Sequence, residues 1–90
     1  MTINEIVEQV TEICKRNKVE HLSLFGSYAR GNFTDTSDID FIVYGVKDMI
    51  KLKDEVDEIM TLKKIDLFDY DEVCSSYLRE DMDKYGRKIY

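Results

Sequence analysis

Helical and strand-like hydrophobic patterns alternate along this chain, and that alternation leaves few folds open to it. Apolar residues recur every three or four positions in three segments, and closer to every second position in the segments between them. Strands interleaved with helices favour an α/β (α+β) fold, in which a small mixed β-sheet is packed with helices. The predicted helices cover residues 3–17, 49–60 and 73–85, and the predicted strands cover residues 22–25, 38–44, 64–68 and 87–90.

Chain length sets the next limit. The 90 residues predict a single domain over residues 1–90, large enough for a modest hydrophobic core. An apolar fraction of 43% suits a globular protein rather than a disordered one. Because there is no room for a separate substrate domain, an enzyme of this size needs a partner or the substrate to supply part of the recognition surface.

Charge bears on the kind of partner. The chain carries 19 acidic and 13 basic residues, which gives a formal net charge of -6. Because such a surface repels phosphate backbones, nucleic acid is not expected as the main partner, and a basic protein is favoured. Plain solubility is the alternative explanation of the same charge. The oligomeric state stays open.

The sequence predicts a cytoplasmic protein with no membrane contact. Acidic residues enter early, at Glu5 and Glu8, which argues against a secretory signal. No apolar run approaches the roughly 20 residues that span a bilayer. Cys14 and Cys74 lie far apart on predicted helices, where isolated cysteines are typically buried hydrophobes of a protein in a reducing compartment.

Two acidic residues at the start of the predicted strand 38–44 form the first candidate site. Residues i and i+2 of a strand point to the same face, so Asp38 and Asp40 present neighbouring carboxylates while Ile39 and Phe41 face the core. Like charges at this spacing repel one another unless a divalent cation with oxygen ligands neutralises them. Taken alone, so short a motif is better explained as a solvated strand end.

A glycine-serine turn follows the preceding strand. Gly26 ends that strand and Ser27 opens a helical turn, so that backbone N–H groups and the Ser27 hydroxyl can bind phosphate oxygens. Gly26 would let a phosphate approach the backbone closely, and Arg30 would add positive charge nearby. An ordinary loop explains the turn if it is considered alone. A phosphate-binding turn and an acid pair on neighbouring strands are together what phosphoryl or nucleotidyl transfer requires.

The combined motif resembles the DNA polymerase beta-like nucleotidyltransferase superfamily. The signature of that superfamily is a hydrophobic residue, Gly-Ser, a spacer, and then Asp-hydrophobic-Asp-hydrophobic. Within it, the sequences GSYARG and SDID are similar to those of the minimal nucleotidyltransferases, the MNT proteins, and the resemblance covers the whole chain. It implies the polymerase beta-like nucleotidyltransferase fold. The matching residues are Phe25-Gly26-Ser27, ten intervening residues, and Asp38-Ile39-Asp40-Phe41.

A third acid is expected on an adjacent strand, and Asp66, Asp69 and Asp71 compete for that position. Period-two alternation places Asp66 on the face opposite Ile65 and Leu67, which is the polar face. The hydrophobic-Asp-hydrophobic pattern of the family also selects Asp66. Asp69 and Asp71 are then expected to be loop or helix-cap residues.

The resemblance also implies roles for these residues. The enzyme would use ATP as the nucleoside triphosphate, together with two Mg²⁺ ions, and Asp66 would help to deprotonate the acceptor hydroxyl. The catalytic and metal-binding residues would be Asp38, Asp40 and Asp66. The nucleotide-binding residues would be Gly26, Ser27 and Arg30. The tyrosines are expected to pack in the core or at an interface rather than stack on a base, and Tyr28, beside the turn, is the best candidate for an exception.

Resemblance to the MNT proteins implies a protein substrate as well. These proteins are often antitoxins that attach AMP from ATP to a tyrosine of a HEPN-domain ribonuclease toxin, which silences the toxin. The chain would therefore be a metal-dependent protein adenylyltransferase and one half of a toxin–antitoxin system. Two alternatives stay open. One is a binding module that neutralises its partner by occlusion, and the other is a small-molecule nucleotidyltransferase, whose relatives carry an extra helical domain that this chain lacks.

Overall fold

The computed structural model describes residues 1–90 and confirms the predicted fold class, a small mixed β-sheet packed with helices. The elements follow the predicted order, and the glycine-serine turn forms a short helix of its own. The helices are α1 Ile3–Arg16, α2 Gly26–Arg30, α3 Met49–Asp57 and α4 Ser76–Tyr85, with a 3-10 helix at Tyr70–Glu72. The strands are β1 His21–Phe25, β2 Ile39–Tyr44, β3 Ile65–Asp69 and β4 Arg87–Lys88.

The sheet has the strand order β3-β2-β1-β4, so β3 and the short β4 form its edges. β2 pairs antiparallel with β1 and parallel with β3, and β1 pairs antiparallel with β4. The parallel pair is connected through α3, because a chain cannot join parallel neighbours with a tight turn. The strand that carries Asp40 therefore lies inside the sheet, between β1 and β3.

Helices cover both faces of the sheet, and alternation along β2 assigns its side chains to the two faces. The three odd-numbered residues of β2 are fully buried in a core shared with α1 and α3. These residues are Ile39, Phe41 and Val43. On the opposite face, the buried Ile42 packs in a smaller cluster with Met82 of α4. Asp40 has the same parity as Ile42, so its side chain lies on the α4 face.

Helix α1 covers one face of the sheet through an amphipathic pattern. Its start carries the predicted capping box, because the Glu5 N–H donates to the Thr2 hydroxyl at 3.2 Å and the Thr2 N–H donates to the Glu5 carboxylate at 3.1 Å. The stripe facing the core consists of Ile6, Val10, Ile13 and Cys14. α1 is the longest helix, at 14 residues, and none of the helices has the length and apolar character needed to cross a membrane.

Several element boundaries differ from the sequence prediction. β2 starts at Ile39, which leaves Asp38 one residue before the strand. β3 is displaced by one residue toward the C-terminus, and α3 and β4 end earlier than predicted. The last helix starts at Ser76, because the Ser75 hydroxyl caps it by accepting a hydrogen bond from the Leu78 N–H at 3.3 Å.

The two cysteines have different environments, and the prediction for one of them was wrong. Cys14 is buried in α1, and burial raises the pKa of its thiol to about 12. Cys74 is exposed, contrary to the prediction of a buried helix face. The reason is that it precedes the cap of α4 and therefore lies outside the helix.

Candidate active site

The glycine-serine turn joins β1 to α2. The backbone is extended at Phe25, and Gly26 then takes a φ of +68°, in the left-handed region that favours glycine. A Cβ atom on Gly26 would also overlap the Asp40 carboxylate, so close approach is a second reason for glycine here. α2 ends where the Gly31 N–H donates to the Ser27 carbonyl oxygen at 2.9 Å. The turn therefore lies directly against Asp40.

Strand register brings Asp40 and Asp66 together. β2 pairs with β3 so that Asp40 lies directly across from Asp66, and it pairs with β1 so that Asp40 lies across from Phe25. Opposed residues of neighbouring strands point to the same face, with side chains about 5 Å apart. Asp38 is exposed and lies two residues before Asp40. The two pairings thus bring the turn and Asp66 next to Asp40, with Asp38 at the margin.

Electrostatic interactions link the three carboxyl groups. The pKa of Asp40 is raised to about 6, first by burial, then by the negative charges of Asp66 and Asp38 and by a hydrogen bond with Asp66. The Lys64 ammonium acts in the opposite direction. Asp40 therefore ionises most readily when a positive charge lies beside it.

Arg30 occupies the last turn of α2, and its side chain is exposed. Its guanidinium carbon lies 4.7 Å from the centre of the Tyr85 ring, a cation–π contact that connects the turn to α4. The structure thus gives this side chain a packing partner on the α4 face. A role of Arg30 in binding phosphate stays a prediction.

Comparison with known proteins identifies the family. The family model for the polymerase beta nucleotidyltransferase domain matches residues 8–90. The chain belongs to this family. A relative from Methanocaldococcus jannaschii, named putative protein adenylyltransferase, is 37% identical over 78 residues, which cover 81% of this chain and 83% of the relative.

Two solved structures share the fold of this nucleotidyltransferase. A crystal structure of a toxin–antitoxin with AMP-PNP superposes with a TM-score of 0.69 at 24% identity, covering 92% of this chain and 71% of that one. A crystal structure of a mutant form of the toxin–antitoxin MntA-HpeT gives a TM-score of 0.63 at 22% identity, covering 100% of this chain and 73% of that one. At these identities the likeness establishes the fold, which confirms the predicted polymerase beta-like architecture.

The acid cluster of this nucleotidyltransferase offers the oxygen ligands that Mg²⁺ prefers. Asp40 and Asp66 could hold such an ion, because a cation would relieve the repulsion that raises the pKa of Asp40. As the side chains are placed, no three acidic, histidine or cysteine groups surround one common point. The donor chemistry and the Asp40–Asp66 pairing fit a divalent cation, and the exposed Asp38 is the third carboxylate available to it.

Lys64 belongs to the site, although the sequence prediction omits it. Its ammonium lies 3.7 Å from a carboxylate oxygen of Asp66, and its side chain is 70% exposed. Its spacing of two residues from Asp66 is the signal that could have indicated it, because residues i and i+2 share a face of a strand. So exposed a pair contributes little to stability. The charge of Lys64 nevertheless lies beside the carboxylate predicted to bind metal.

Replacing Lys64 with methionine is expected to tighten Mg²⁺ binding about two- to fivefold. The substitution keeps most of the apolar stem of the side chain but removes a positive charge that competes with the cation for Asp66. Calorimetric titration of Mg²⁺ into the variant and the parent protein measures the change. Lys47→Met, at an exposed position beyond the other end of β2, is the matched control and should leave the affinity unchanged. Equal or weaker binding by the Lys64 variant would contradict the competition.

Asp69 and Asp71 are engaged elsewhere: Asp69 is a helix cap, as predicted, whereas Asp71 lies inside the 3-10 helix and is neither a loop nor a cap residue. The Asp69 carboxylate accepts a hydrogen bond from the Asp71 N–H at 3.2 Å and thereby caps the 3-10 helix. The Asp71 carboxylate accepts one from the Gly45 N–H at 2.9 Å, just beyond the end of β2. Both carboxylates therefore accept hydrogen bonds from backbone N–H groups near the end of β2 that lies away from Asp40.

The aromatic residues that follow the turn pack against each other. Tyr28 is buried, and its ring stacks on that of Phe33 with centroids 4.4 Å apart. The Lys63 ammonium lies 5.7 Å from the centre of the Tyr28 ring and donates to the Asp35 carbonyl oxygen at 2.6 Å. These contacts show Tyr28 packed in the way that was expected of the other tyrosines, and they connect the loop before β2 to the segment before β3. Phe33 lies in a loop, where no hydrophobic periodicity could have indicated it.

Proposed function

We propose that this protein transfers AMP from ATP to a tyrosine of a protein partner and is the antitoxin of a toxin–antitoxin pair. The observation that carries the proposal is the position of Asp40, which adjoins the Gly26 turn on one side and Asp66 on the other. A phosphate-binding turn beside a carboxylate pair suits nucleotidyl transfer. A protein acceptor is supported by the relative named as a protein adenylyltransferase, and the antitoxin role by the structural neighbour solved with AMP-PNP.

Each part of the site has a role in this proposal. Backbone N–H groups of the turn and the Ser27 hydroxyl bind the outer phosphates of ATP, and Arg30 adds positive charge on the same side. Mg²⁺, when bound, neutralises phosphate charge and helps to orient the reacting phosphorus. The proposed metal ligands are Asp38, Asp40 and Asp66.

Asp66 is the carboxylate on the acceptor side. It lies on β3, whereas the turn follows β1 on the other side of Asp40, so the acceptor hydroxyl approaches from the β3 edge. The tyrosine oxygen forms a bond to the α-phosphorus, and the bond from that phosphorus to the oxygen bridging the β-phosphate breaks. Asp66 accepts the tyrosine proton, and pyrophosphate leaves with the electron pair of the broken bond.

The partner that we propose is a HEPN-type ribonuclease toxin, since a basic RNA-cutting protein would complement a chain with a net charge of -6. Incubation with labelled ATP, Mg²⁺ and the protein encoded beside this gene, followed by mass spectrometry, tests the proposal. We expect a tyrosine of that protein to gain one or more AMP units. Neutralisation of the partner by an Asp38→Ala variant, without any label, would instead support occlusion. Label found only on a small molecule would contradict a protein acceptor.

The stabilising effect of Mg²⁺ is expected to be strong near about pH 7.5 and weak near about pH 5. Because the pKa of Asp40 is raised from 3.8 to about 6, the folded protein binds this proton more tightly than the unfolded chain does. Without metal, the free energy of unfolding therefore falls as the pH rises from the unfolded pKa of 3.8 to the folded pKa of about 6. Mg²⁺ binds the ionised carboxylate, so its stabilising effect grows as Asp40 of the folded protein loses its proton.

Thermal unfolding with and without Mg²⁺ across this pH range measures the effect. Asp40→Asn, whose amide does not titrate, should remove most of the pH dependence of the stabilisation by Mg²⁺. Asp54→Asn, at an exposed position on α3, should retain it. Stabilisation by Mg²⁺ that is as large near pH 5 as near pH 7.5 would contradict the assignment of Asp40 as a ligand.

A further inference from the structure

β3 is an edge strand whose outer side is open. It pairs with β2 alone, and all of its residues are half-buried rather than buried. The Ile39 N–H donates to the Lys64 carbonyl oxygen at 2.9 Å, and in a parallel ladder this bond sets the direction of each backbone group along β3. Asp66 directs its N–H and C=O groups toward β2, whereas Ile65 and Leu67 direct theirs outward. The free edge therefore offers hydrogen-bonding groups on either side of Asp66.

We propose that the acceptor segment of the protein substrate binds this edge as an added antiparallel strand, with its tyrosine across from Asp66. The inference rests on the proposed transfer to a protein tyrosine, and strand addition is a known way of recognising extended segments. Opposite Asp66 the added residue occupies a non-hydrogen-bonded position, where the two Cα atoms lie about 4.5 Å apart. The neighbours of that residue bond to Ile65 and Leu67. Its side chain therefore points to the face that carries the carboxylates of Asp40 and Asp66.

Side-chain length selects tyrosine at this position. The carboxylate oxygens of Asp40 and Asp66 stand three bonds from their Cα atoms, whereas a serine or threonine hydroxyl stands only two bonds from its own. The reacting phosphorus must lie beyond those oxygens, because it cannot share their space. A tyrosine hydroxyl, at the far end of its ring, stands farther from the sheet than the carboxylates do. A tyrosine at this backbone position can therefore reach the phosphorus, whereas a serine hydroxyl cannot.

Charge on the other face of the sheet favours acidic neighbours of that tyrosine. Alternate residues of the added strand point to this face, where a cavity of about 240 Å³ lies beside β3. Asp57 and Asp66 also line the cavity, but Lys64 is paired with Asp66. Lys53 and Lys63 therefore remain as two ammonium groups against the single charge of Asp57. An aspartate or glutamate next to the tyrosine can pair with these lysines. Lys64 also lines the cavity, but it has the same parity as Asp66 and its side chain belongs to the Asp66 face.

The same register disfavours a second copy of this chain as the occupant of the edge. If two copies paired through β3 about Asp66, the two Asp66 side chains would lie directly across from each other. Like charges in that position are destabilising. A segment with tyrosine at this point brings no charge opposite Asp66, and its acidic neighbours face the lysines instead.

A synthetic peptide tests this docking mode. It carries a central tyrosine between two glutamates, flanked by alternating threonine and valine, and is mixed with the protein, ATP and Mg²⁺. We expect AMP on the tyrosine, and amide hydrogen exchange at Ile65 and Leu67 slowed at least about tenfold. N-methylation of both glutamates removes the donors that face β3 and should lower both effects at least about tenfold. The N–H group of the tyrosine points away from β3, so N-methylation of the tyrosine is the matched control and should retain both effects.

The two readouts separate this inference from the proposed function, because exchange reports binding without chemistry. A peptide with serine in place of tyrosine should slow exchange without accepting AMP. If the tyrosine peptide slows exchange but no tyrosine ever accepts AMP, the edge binds extended segments and transfer to protein is contradicted. Transfer that tolerates N-methylated glutamates would overturn the docking mode. The docking mode would also be overturned if exchange at Ile65 and Leu67 slowed with increasing protein concentration rather than with added peptide. Exchange that never slows would overturn it as well.

Discussion

Asparagine in place of Asp40 is expected to lower AMP transfer at least about a thousandfold while making the metal-free protein more stable. Asp40 lies against the turn and directly across from Asp66, so its charge is central to the proposed metal site. The amide keeps the shape of the side chain but removes the burial and like-charge penalties that raise the pKa of Asp40 to about 6. Allowing for partial exposure to solvent, we expect a gain of about 1 kcal/mol at neutral pH.

Rates of AMP transfer and unfolding curves in EDTA, measured on the same preparations, check both halves of this prediction. Asp38→Asn should also lose transfer but gain less stability, because Asp38 is exposed. Asp35→Asn changes an exposed loop acid and is the control that should stay active. Loss of activity together with loss of stability would indicate damage to the fold. Full activity in the Asp40 variant would refute its role.

The faces on which the acids lie were predictable because they depend on local alternation. Asp40 and Asp66 each stand between two apolar residues of a short strand, and a period of two fixes their orientation. The pairing of Asp40 with Asp66 could not be read from either strand, because alternation specifies a face and not a neighbour. That pairing depends on how α3 carries the chain from β2 back to the parallel strand β3. The family resemblance implied it before packing could show it.

The surroundings of the acids were less predictable. Lys64 and Arg30 are exposed, and hydrophobic patterning does not limit where exposed side chains go. Arg30 contacts Tyr85 only because α2 and α4 lie next to each other in the fold. The start of α4 was placed too early for a related reason. Apolar residues continue at helical spacing through Val73, but the cap formed by Ser75 decides where the helix begins.

Alanine in place of Gly26 is expected to lower AMP transfer about a hundredfold and to destabilise the fold by about 2–3 kcal/mol. The left-handed backbone at φ +68° is unfavourable for any residue with a Cβ atom. That Cβ atom would also overlap the Asp40 carboxylate, so either the turn or the acid must move. Both belong to the proposed site, and a displacement of either separates the phosphates from the metal ligands. Unfolding curves and transfer rates measure the two effects.

Gly31→Ala is the matched control for this prediction. Gly31 has a similar φ of +80°, but a Cβ atom there meets nothing within 4 Å. Gly31→Ala should therefore destabilise the fold only through its left-handed backbone, by about 1 kcal/mol. A double-mutant cycle with Asp40→Ala then isolates the overlap. Without the carboxylate, Gly26→Ala should destabilise the protein about as much as Gly31→Ala does. If Gly26→Ala has the same effect whether or not Asp40 keeps its side chain, the turn and the acid do not touch, and the proposed site loses its geometric basis.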